Sequence, residues 1–256
     1  MNLRRKTLYS CKGDPRLQKA LAIALYLKHL LGRTSTMPNW SANKLHKLSG
    51  ISPTTLKKYL PIIRRQGWAH FCGKNNEHLV ISSLSSHTAD RNIRVDAFRF
   101  DSFKETYRSL RAFLALAIQH RKDFIGRTIQ TYRDPSSHKE LVKARKTLKR
   151  LVGKGILKGV DVKFRELGTS YKRIAQETGN CIKTAQNIIR YALNMGWCHK
   201  KRNCEQYYLK GICFREGGEF FTFSTRSNIY IMHPNRYILH TDIETSLGGG
   251  ILDGKK

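Results

Sequence analysis

Apolar side chains recur with a helical period at several places in the chain. Residues 16–31 form a strongly apolar run that predicts a first helix. Further along, Leu56, Tyr59, Leu60 and Ile63 fall at i, i+3, i+4 and i+7, a spacing that places them on one buried face of a helix. The pattern therefore predicts two amphipathic helices in this part of the chain.

A shorter helix is predicted between them. Ser41 is a favoured N-cap residue, and Gly50 tolerates the left-handed backbone with which helices often end. The following helix is expected to start near Ser52 and to stop at Gly67. A short helix, a tight turn and a longer helix are typical of a helix-turn-helix.

The same pattern occurs twice, at an offset of 129 residues. The segment SANKLHKLSGISPTTLKKYLPIIRRQGWAH starts at Ser41, and SYKRIAQETGNCIKTAQNIIRYALNMGWCH starts at Ser170. The identical pairs include both glycines that end helices and the Trp and His residues that follow. They are Ser41/Ser170, Gly50/Gly179, Thr55/Thr184, Gly67/Gly196, Trp68/Trp197 and His70/His199. Because the residues that begin and end the helices recur together with the apolar spacing, we interpret the two segments as an internal repeat.

Strand-like segments follow each copy. Two short runs flank the turn residues 73–76 after the first copy, and a basic turn at residues 201–203 is expected after the second. The stretch VDAFRFDS, residues 95–102, alternates like a strand and is expected to couple the units. Residues 218–239 also have the composition of strands.

The second copy contains an additional basic segment. Its first helix is predicted at about residues 102–121, and an insert over 122–166 then precedes Ser170. Within this insert, apolar residues recur along a basic amphipathic helix predicted at about 138–152. The last residues, 241–256, are expected to form a flexible tail.

Three helices followed by a two-stranded ribbon resemble the winged helix-turn-helix family. The predicted fold class is thus α+β, with two winged helix-turn-helix domains in tandem and a basic helical insert in the second. The expected division is a first domain over 1–90, a linker over 91–101 and a second domain over 102–240.

Composition adds a charge argument. The 256 residues include 48 Lys and Arg against 18 Asp and Glu, a net charge of +30. The excess is spread along the chain, with 15 basic and 3 acidic side chains in residues 1–90, 20 and 8 in 91–166, and 13 and 7 in 167–256. Such an excess favours a polyanionic partner, above all nucleic acid, with an anionic membrane surface as the weaker alternative. No apolar run has the length of a membrane span, so we expect a cytoplasmic, nucleoid-associated protein.

The second helix of each helix-turn-helix supplies the residues expected to read bases. Its exposed polar side chains are of types that bond base edges in the major groove. They are Thr54, Thr55, Lys57 and Lys58 in the first copy and Lys183, Thr184, Gln186 and Asn187 in the second. An ordinary solvated helix face is the alternative interpretation.

Other basic side chains are placed to contact DNA phosphates, which set affinity rather than sequence preference. They are Arg64, Arg65, Lys74, Arg190, Lys200, Lys201 and Arg202, together with Lys143, Lys146, Lys149 and Arg150 of the insert. Pro61 lies inside the first copy's second helix, where proline is unfavourable. The first copy is therefore hypothesised to read DNA less well and to serve dimerisation or partner binding.

Catalytic and metal signatures are weak. There is no phosphate-binding glycine loop and no zinc-protease motif, so neither enzyme activity nor a cofactor is predicted. Cys198, His199, Cys204 and Cys213 lack the paired spacing of zinc sites, and no metal is predicted. A nuclease or recombinase using Tyr207 remains an alternative.

Two fused basic winged helices are similar in architecture to plasmid-type or phage replication initiators. The resemblance implies binding of double-stranded DNA at repeated origin sites of a mobile element and contact with host replication proteins. A transcriptional regulator, acting with host transcription proteins, is the alternative. A non-specific nucleoid or RNA-binding protein is the alternative from another class, and a homodimer is left open.

Overall fold

The computed structural model describes residues 2–85, 92–153, 168–208, 214–216, 219–221 and 228–247. Within them the fold is α+β, with helices packed around a common core and antiparallel sheets of two or three strands. The insert residues 154–167, the tail residues 248–256 and the side chain of Arg202 lie outside the described part.

The first unit combines helices with a small sheet. Its elements are β1 (Asn2–Arg4), α1 (Arg5–Ser10), α2 (Pro15–Leu31), β2 (Thr36–Met37), α3 (Ala42–Ser49), α4 (Pro53–Arg65), β3 (Ala69–Cys72) and β4 (His78–Ile81). Strands β3 and β4 form an antiparallel hairpin with Ala69 opposite Ile81, and β2 pairs with the other edge of β4.

The second unit is longer. Its elements are β5 (Asn92–Arg94), α5 (Phe103–Arg133), α6 (His138–Gly153), α7 (Tyr171–Thr178), α8 (Ile182–Asn194), β6 (Cys198–Tyr208), β7 (Phe214–Glu216), β8 (Glu219–Phe221), β9 (Asn228–Leu239) and α9 (Thr241–Leu247). Strand β6 pairs antiparallel with β9, and β7 pairs with β8. The predicted basic helix of the insert is confirmed as α6.

The repeat predicted from sequence is present in the backbone. Helices α3 and α7 have bounds 129 residues apart, and so have α4 and α8. Ser41 and Ser170 cap the short helices by accepting the N–H of Lys44 and Arg173, both at 3.1 Å. Gly50 and Gly179 end them at φ +67° and +66°, in the left-handed region that favours glycine.

The tryptophans occupy equivalent structural positions. The Trp68 N–H donates to Ile63 O and the Trp197 N–H donates to Ala192 O, both at 3.0 Å. Both indoles are buried, in agreement with a packing role between helix and hairpin. They therefore hold the start of β3 and of β6 against the preceding helix.

Helices α2 and α5 join the two units. Every side chain from Ala20 to Leu27 is buried, as is every side chain from Ala112 to Ala117. A helix buried all round lies in the interior of a fold. The buried side chains of both units form one continuous apolar cluster through this helix pair.

Polar contacts reinforce the junction. The Gly13 N–H donates to Glu177 O at 2.8 Å, and Gln18 Nε2 donates to Thr178 O at 2.8 Å. Lys12 forms an ion pair with Glu177. The turn between α1 and α2 is thus bonded directly to the end of α7 in the other unit.

Several boundaries predicted from sequence are wrong. The first helix of the second unit was expected to end at residue 121, but α5 continues to Arg133 because Ile125, Thr128 and Ile129 keep its apolar face buried. The insert therefore begins inside a helix. Residues 95–102 are a packed turn rather than a strand, with the Phe98 N–H donating to Val95 O, and the coupling strand is β5, which pairs with β1.

The end of the chain also differs from the prediction. Lys201 and Asn203 lie within the continuous strand β6, which bulges between them instead of turning, because its partner β9 is distant in sequence. Residues 241–247, expected in a flexible tail, form α9. Ile243 and Leu247 bury against the core, so this part of the tail is ordered.

Candidate nucleic-acid interface

Helix α8 presents a polar face to solvent. Ala185, Ile188, Ile189 and Ala192 are buried on its inner side, as their spacing predicted. The outer side exposes the predicted base-reading residues Lys183, Gln186 and Asn187, while Thr184 is half-buried, and it also exposes the predicted phosphate contact Arg190.

The N-cap of α8 differs from that of α4 in carrying a thiol in place of a hydroxyl. In α4, Ser52 is the N-cap and its hydroxyl donates to Thr55 Oγ1 at 2.9 Å. In α8 the equivalent position is Cys181, whose Sγ lies 3.2 Å from Thr184 Oγ1. This exposed thiol has a lowered pKa, mainly because of its hydrogen bond with the Thr184 side chain. The Thr184 hydroxyl is therefore already engaged in a hydrogen bond with the N-cap residue Cys181.

A polar groove of about 440 Å³ runs between α8 and α5. Helix α8 contributes Thr184, Asn187 and Arg190 to its lining, and α5 contributes Arg108 and Arg111. Two predicted base-reading residues and one predicted phosphate contact thus lie beside two further arginines.

Arg111 and Arg108 were missed by the sequence analysis. Arg111 donates to Asn180 Oδ1 at 2.9 Å, and its guanidinium lies 5.1 Å from the ring centre of Tyr107. Burial lowers the pKa of Arg111. Its Nε is buried and has no hydrogen-bond partner within the described part of the chain. The only sequence signal for this pair was the i, i+3 spacing of Arg108 and Arg111 on a helix otherwise rich in apolar residues.

A row of side chains connects the two units across α5. Tyr59 of α4 lies within electrostatic range of Tyr107, and the Lys19 ammonium lies 5.4 Å from the Tyr59 ring centre. Arg111 then links Tyr107 to the start of α8. The buried inner face of α4 is therefore linked through Tyr107 and Arg111 to the start of α8.

Helix α4 presents a different surface from α8. Thr54, Lys57 and Lys58 are exposed, and Thr55 is half-buried. At the helix end Arg64 and Arg65 are exposed, and Lys74 is exposed in the loop between β3 and β4. Pro61 lies within the helix without interrupting it.

The remaining predicted phosphate contacts are distributed over α6 and β6. Lys143, Lys146, Lys149, Lys200 and Lys201 are exposed. Arg150, in contrast, is half-buried near the end of α6, with a buried Nε that has no hydrogen-bond partner among the described residues. Its side chain is therefore less accessible to DNA than the lysines of the same helix.

Two further kinds of site, metal clusters and membrane-spanning helices, are absent from the part of the chain that the structure describes. Within the described ranges no group of three or more His, Cys, Asp or Glu residues is arranged to hold a metal ion. No helix in that part of the chain is long and apolar enough to cross a membrane. Cys204 and Cys213, which entered the zinc hypothesis, have side chains outside the described part.

Comparison of the chain with protein-family models, with curated proteins and with solved structures found no match. The candidate interface is described by its geometry, charge and internal repeat.

Proposed function

We propose that this chain is a sequence-specific double-stranded DNA-binding protein composed of two tandem winged helix-turn-helix units. The observation that carries the proposal is the repeated pair α3–α4 and α7–α8, each with a buried inner stripe and an exposed polar outer face, in a chain of net charge +30. The antiparallel strand pairs β3–β4 and β6–β9 take the place of wings.

In this proposal α8 enters the major groove. Gln186 and Asn187 can each make two hydrogen bonds to an adenine, and Lys183 can reach the acceptors of a guanine. Arg190 and Arg111, on either side of the groove between α5 and α8, are suited to phosphates. The base contacts then set the sequence preference, while the arginines fix the position of the protein along the duplex.

The shared core constrains how DNA is bound. Because α2 and α5 pack in one apolar cluster, the two units cannot adjust their separation as domains on a flexible linker would. We therefore expect two contacted segments at a fixed spacing. Inserting about half a helical turn of DNA, near 5 base pairs, between them should weaken binding strongly.

Replication initiation at origin repeats of a mobile element is the biological role that we propose. Its support is the architectural resemblance to plasmid-type and phage initiators. Transcription control and binding without sequence preference are distinguished from it by experiment.

The deciding experiment is a binding selection at about 150 mM salt, where non-specific binding is weak. The pool mixes random duplexes with fragments of the replicon that carries the gene. Enrichment of a motif repeated near an origin would support initiation, and a single operator beside a promoter would support transcription control. Enrichment without a motif would refute sequence-specific binding.

Variants on α8 test the assignment of its residues. Asn187→Ala should cost about 1–3 kcal/mol on the selected site and leave non-specific binding unchanged. Gln176→Ala, at an exposed position on α7, is the matched control. If about 8 phosphates are contacted, affinity should fall by about 10³–10⁵ between 50 and 200 mM salt.

A further inference from the structure

An apolar groove of about 740 Å³ lies on the first unit, between α4 and β3. Trp40, Leu60, Pro61 and Phe71 line it. The rings of Trp40 and Phe71 stack with centres 4.7 Å apart, and both side chains are only half-buried. The groove therefore presents aromatic surface to solvent on the side of α4 that faces the hairpin.

Its rim is basic. Lys57, Arg64 and Arg65 line the groove and are exposed, and the Arg64 guanidinium lies 5.5 Å from the ring centre of Phe71. No acidic residue is among its lining residues in the described part of the chain. The nearby Glu77 carboxylate accepts the Asn75 N–H at 2.8 Å and is held in its own turn. The groove thus combines an apolar floor with uncompensated positive charge.

The second copy of the repeat lacks this surface. The positions 129 residues beyond Trp40, Pro61 and Phe71 hold polar or charged side chains, namely Thr169, Arg190 and Lys200. Thr169 is buried and donates to Gln119 Oε1 at 2.8 Å. Because the same backbone arrangement forms without the aromatic pair, the fold does not require it. The groove is a property of the first unit's own side chains.

Duplex DNA is not expected to bind well in a groove lined by apolar side chains. Phosphates and base edges need hydrogen-bond donors and acceptors, and burying them against carbon leaves them unpaired. The occupant must instead supply apolar side chains together with negative charge.

We propose that this groove docks an acidic amphipathic segment of another protein. Apolar side chains of that segment would fill the space beside Trp40 and Phe71, and its carboxylates would pair with Lys57, Arg64 and Arg65. A partner of opposite charge fits better than a second copy, since two chains of net charge +30 repel each other. This proposal does not require that α8 binds DNA, although Lys57, Arg64 and Arg65 are also among the residues expected to contact DNA in the first unit.

The three tryptophans provide a readout on the full-length protein. Trp68 and Trp197 are buried, whereas Trp40 lines the groove and donates its indole N–H to Asn76 O at 2.9 Å. Indole N–H resonances, assigned with Trp→Phe variants, report on each site separately. The probe is a synthetic helical peptide about four turns long, with Leu and Phe on one face and Glu on the other.

We expect this peptide to shift the Trp40 resonance and to leave those of Trp68 and Trp197 unchanged. A peptide of equal composition but scrambled order, and one with Lys in place of Glu, should bind at least about tenfold more weakly, a difference of about 1.4 kcal/mol. Equal binding of the scrambled peptide would overturn the proposal, because charge alone would then explain it. Absence of any Trp40 shift would overturn it as well.

Paired variants locate the site. Phe71→Lys introduces the residue found at the equivalent position of β6, where it is compatible with the strand, and should abolish the shift. Arg64→Glu with Arg65→Glu should weaken peptide binding at least about tenfold. The control is Lys143→Glu with Lys146→Glu on α6, which changes net charge equally but lies outside the groove.

Other occupants are separated by two further measurements. If a single-stranded oligonucleotide displaces the peptide and shifts Trp40 itself, the groove binds nucleic acid and the proposal is wrong. If sedimentation shows self-association that Phe71→Lys removes, the occupant is a second copy and the proposal is again wrong. A monomer whose Trp40 resonance is shifted by the peptide and not by the oligonucleotide supports it.

Discussion

Gly179 gives a direct test of whether the two units are one body. It ends α7 at φ +66°, and a Cβ built there would lie 2.7 Å from the Gly13 carbonyl carbon and 2.9 Å from Pro15 Cδ. Gly50 ends α3 in the same conformation, but a Cβ there would meet nothing within 4 Å. The two glycines therefore have the same backbone conformation, but only Gly179 lies against residues of the other unit.

The magnitudes follow from this difference. An alanine in the left-handed region costs about 1–2 kcal/mol, and Gly50→Ala should cost no more than that. Gly179→Ala must also displace the turn between α1 and α2. That movement weakens the bonds from Gly13 to Glu177 O and from Gln18 to Thr178 O, each worth about 1 kcal/mol or more. Its total cost is therefore about 3–5 kcal/mol.

The assay is equilibrium unfolding in urea, followed by circular dichroism and by tryptophan fluorescence. A single shared core predicts one transition by both probes for each protein. The reasoning is refuted if Gly179→Ala and Gly50→Ala cost the same. It is refuted equally if two transitions appear and only one of them responds to the substitution.

Three further predictions concern individual side chains. Arg111→Gln should weaken DNA binding and reduce the slope of log affinity against log salt by about 1, measured by fluorescence anisotropy. Iodoacetamide should modify Cys181, whose pKa is lowered by Thr184, before Cys198, whose pKa burial raises to about 12, and bound DNA should slow the reaction. Burial lowers the pKa of His120 below its ordinary value, although the Glu244 carboxylate opposes this shift. The neutral imidazole therefore stabilises the fold above about pH 6.5. This contribution to the free energy of unfolding is lost as the pH falls through the folded-state pKa. His120→Gln should therefore unfold with less pH dependence between about pH 7 and 5 in thermal melts.

Each prediction has a contradicting result. An unchanged salt slope in Arg111→Gln would remove that residue from the phosphate contacts. Equal labelling of Cys181 with and without DNA, checked by peptide mass mapping and a Cys181→Ser control, would place α8 outside the interface. Identical pH profiles for wild type and His120→Gln would show that His120 is not held neutral against α9.

Local signals in the sequence were sufficient for the repeated helices. Capping serines, glycines with positive φ and an apolar stripe act within about four residues of each other, so they determine where α3, α4, α7 and α8 begin and end. The exposed outer faces of α4 and α8 follow from the same spacing. The predicted base-reading residues are accordingly at the surface, with Thr55 and Thr184 partly covered by their caps.

Sequence reasoning predicted the local hairpin β3–β4 around residues 73–76 but failed for pairings between strands far apart in the chain. The partner of a strand can lie anywhere in the chain, and β6 pairs with β9 across residues that intervene between them rather than with the run directly after it. Likewise β5 pairs with β1 from the opposite end of the first unit. Nothing within either short strand specifies a partner so distant.

The sequence by itself determined the repeated helix pairs α3–α4 and α7–α8 and the positive charge, because both depend on local spacing or simple composition. Only the tertiary structure decided that α2 and α5 merge the units into one core, that Arg111 lies beside α8, and that Trp40 and Phe71 form a groove in one unit alone. These features join residues far apart in the chain. Their contact depends on how whole helices pack, which no local pattern encodes.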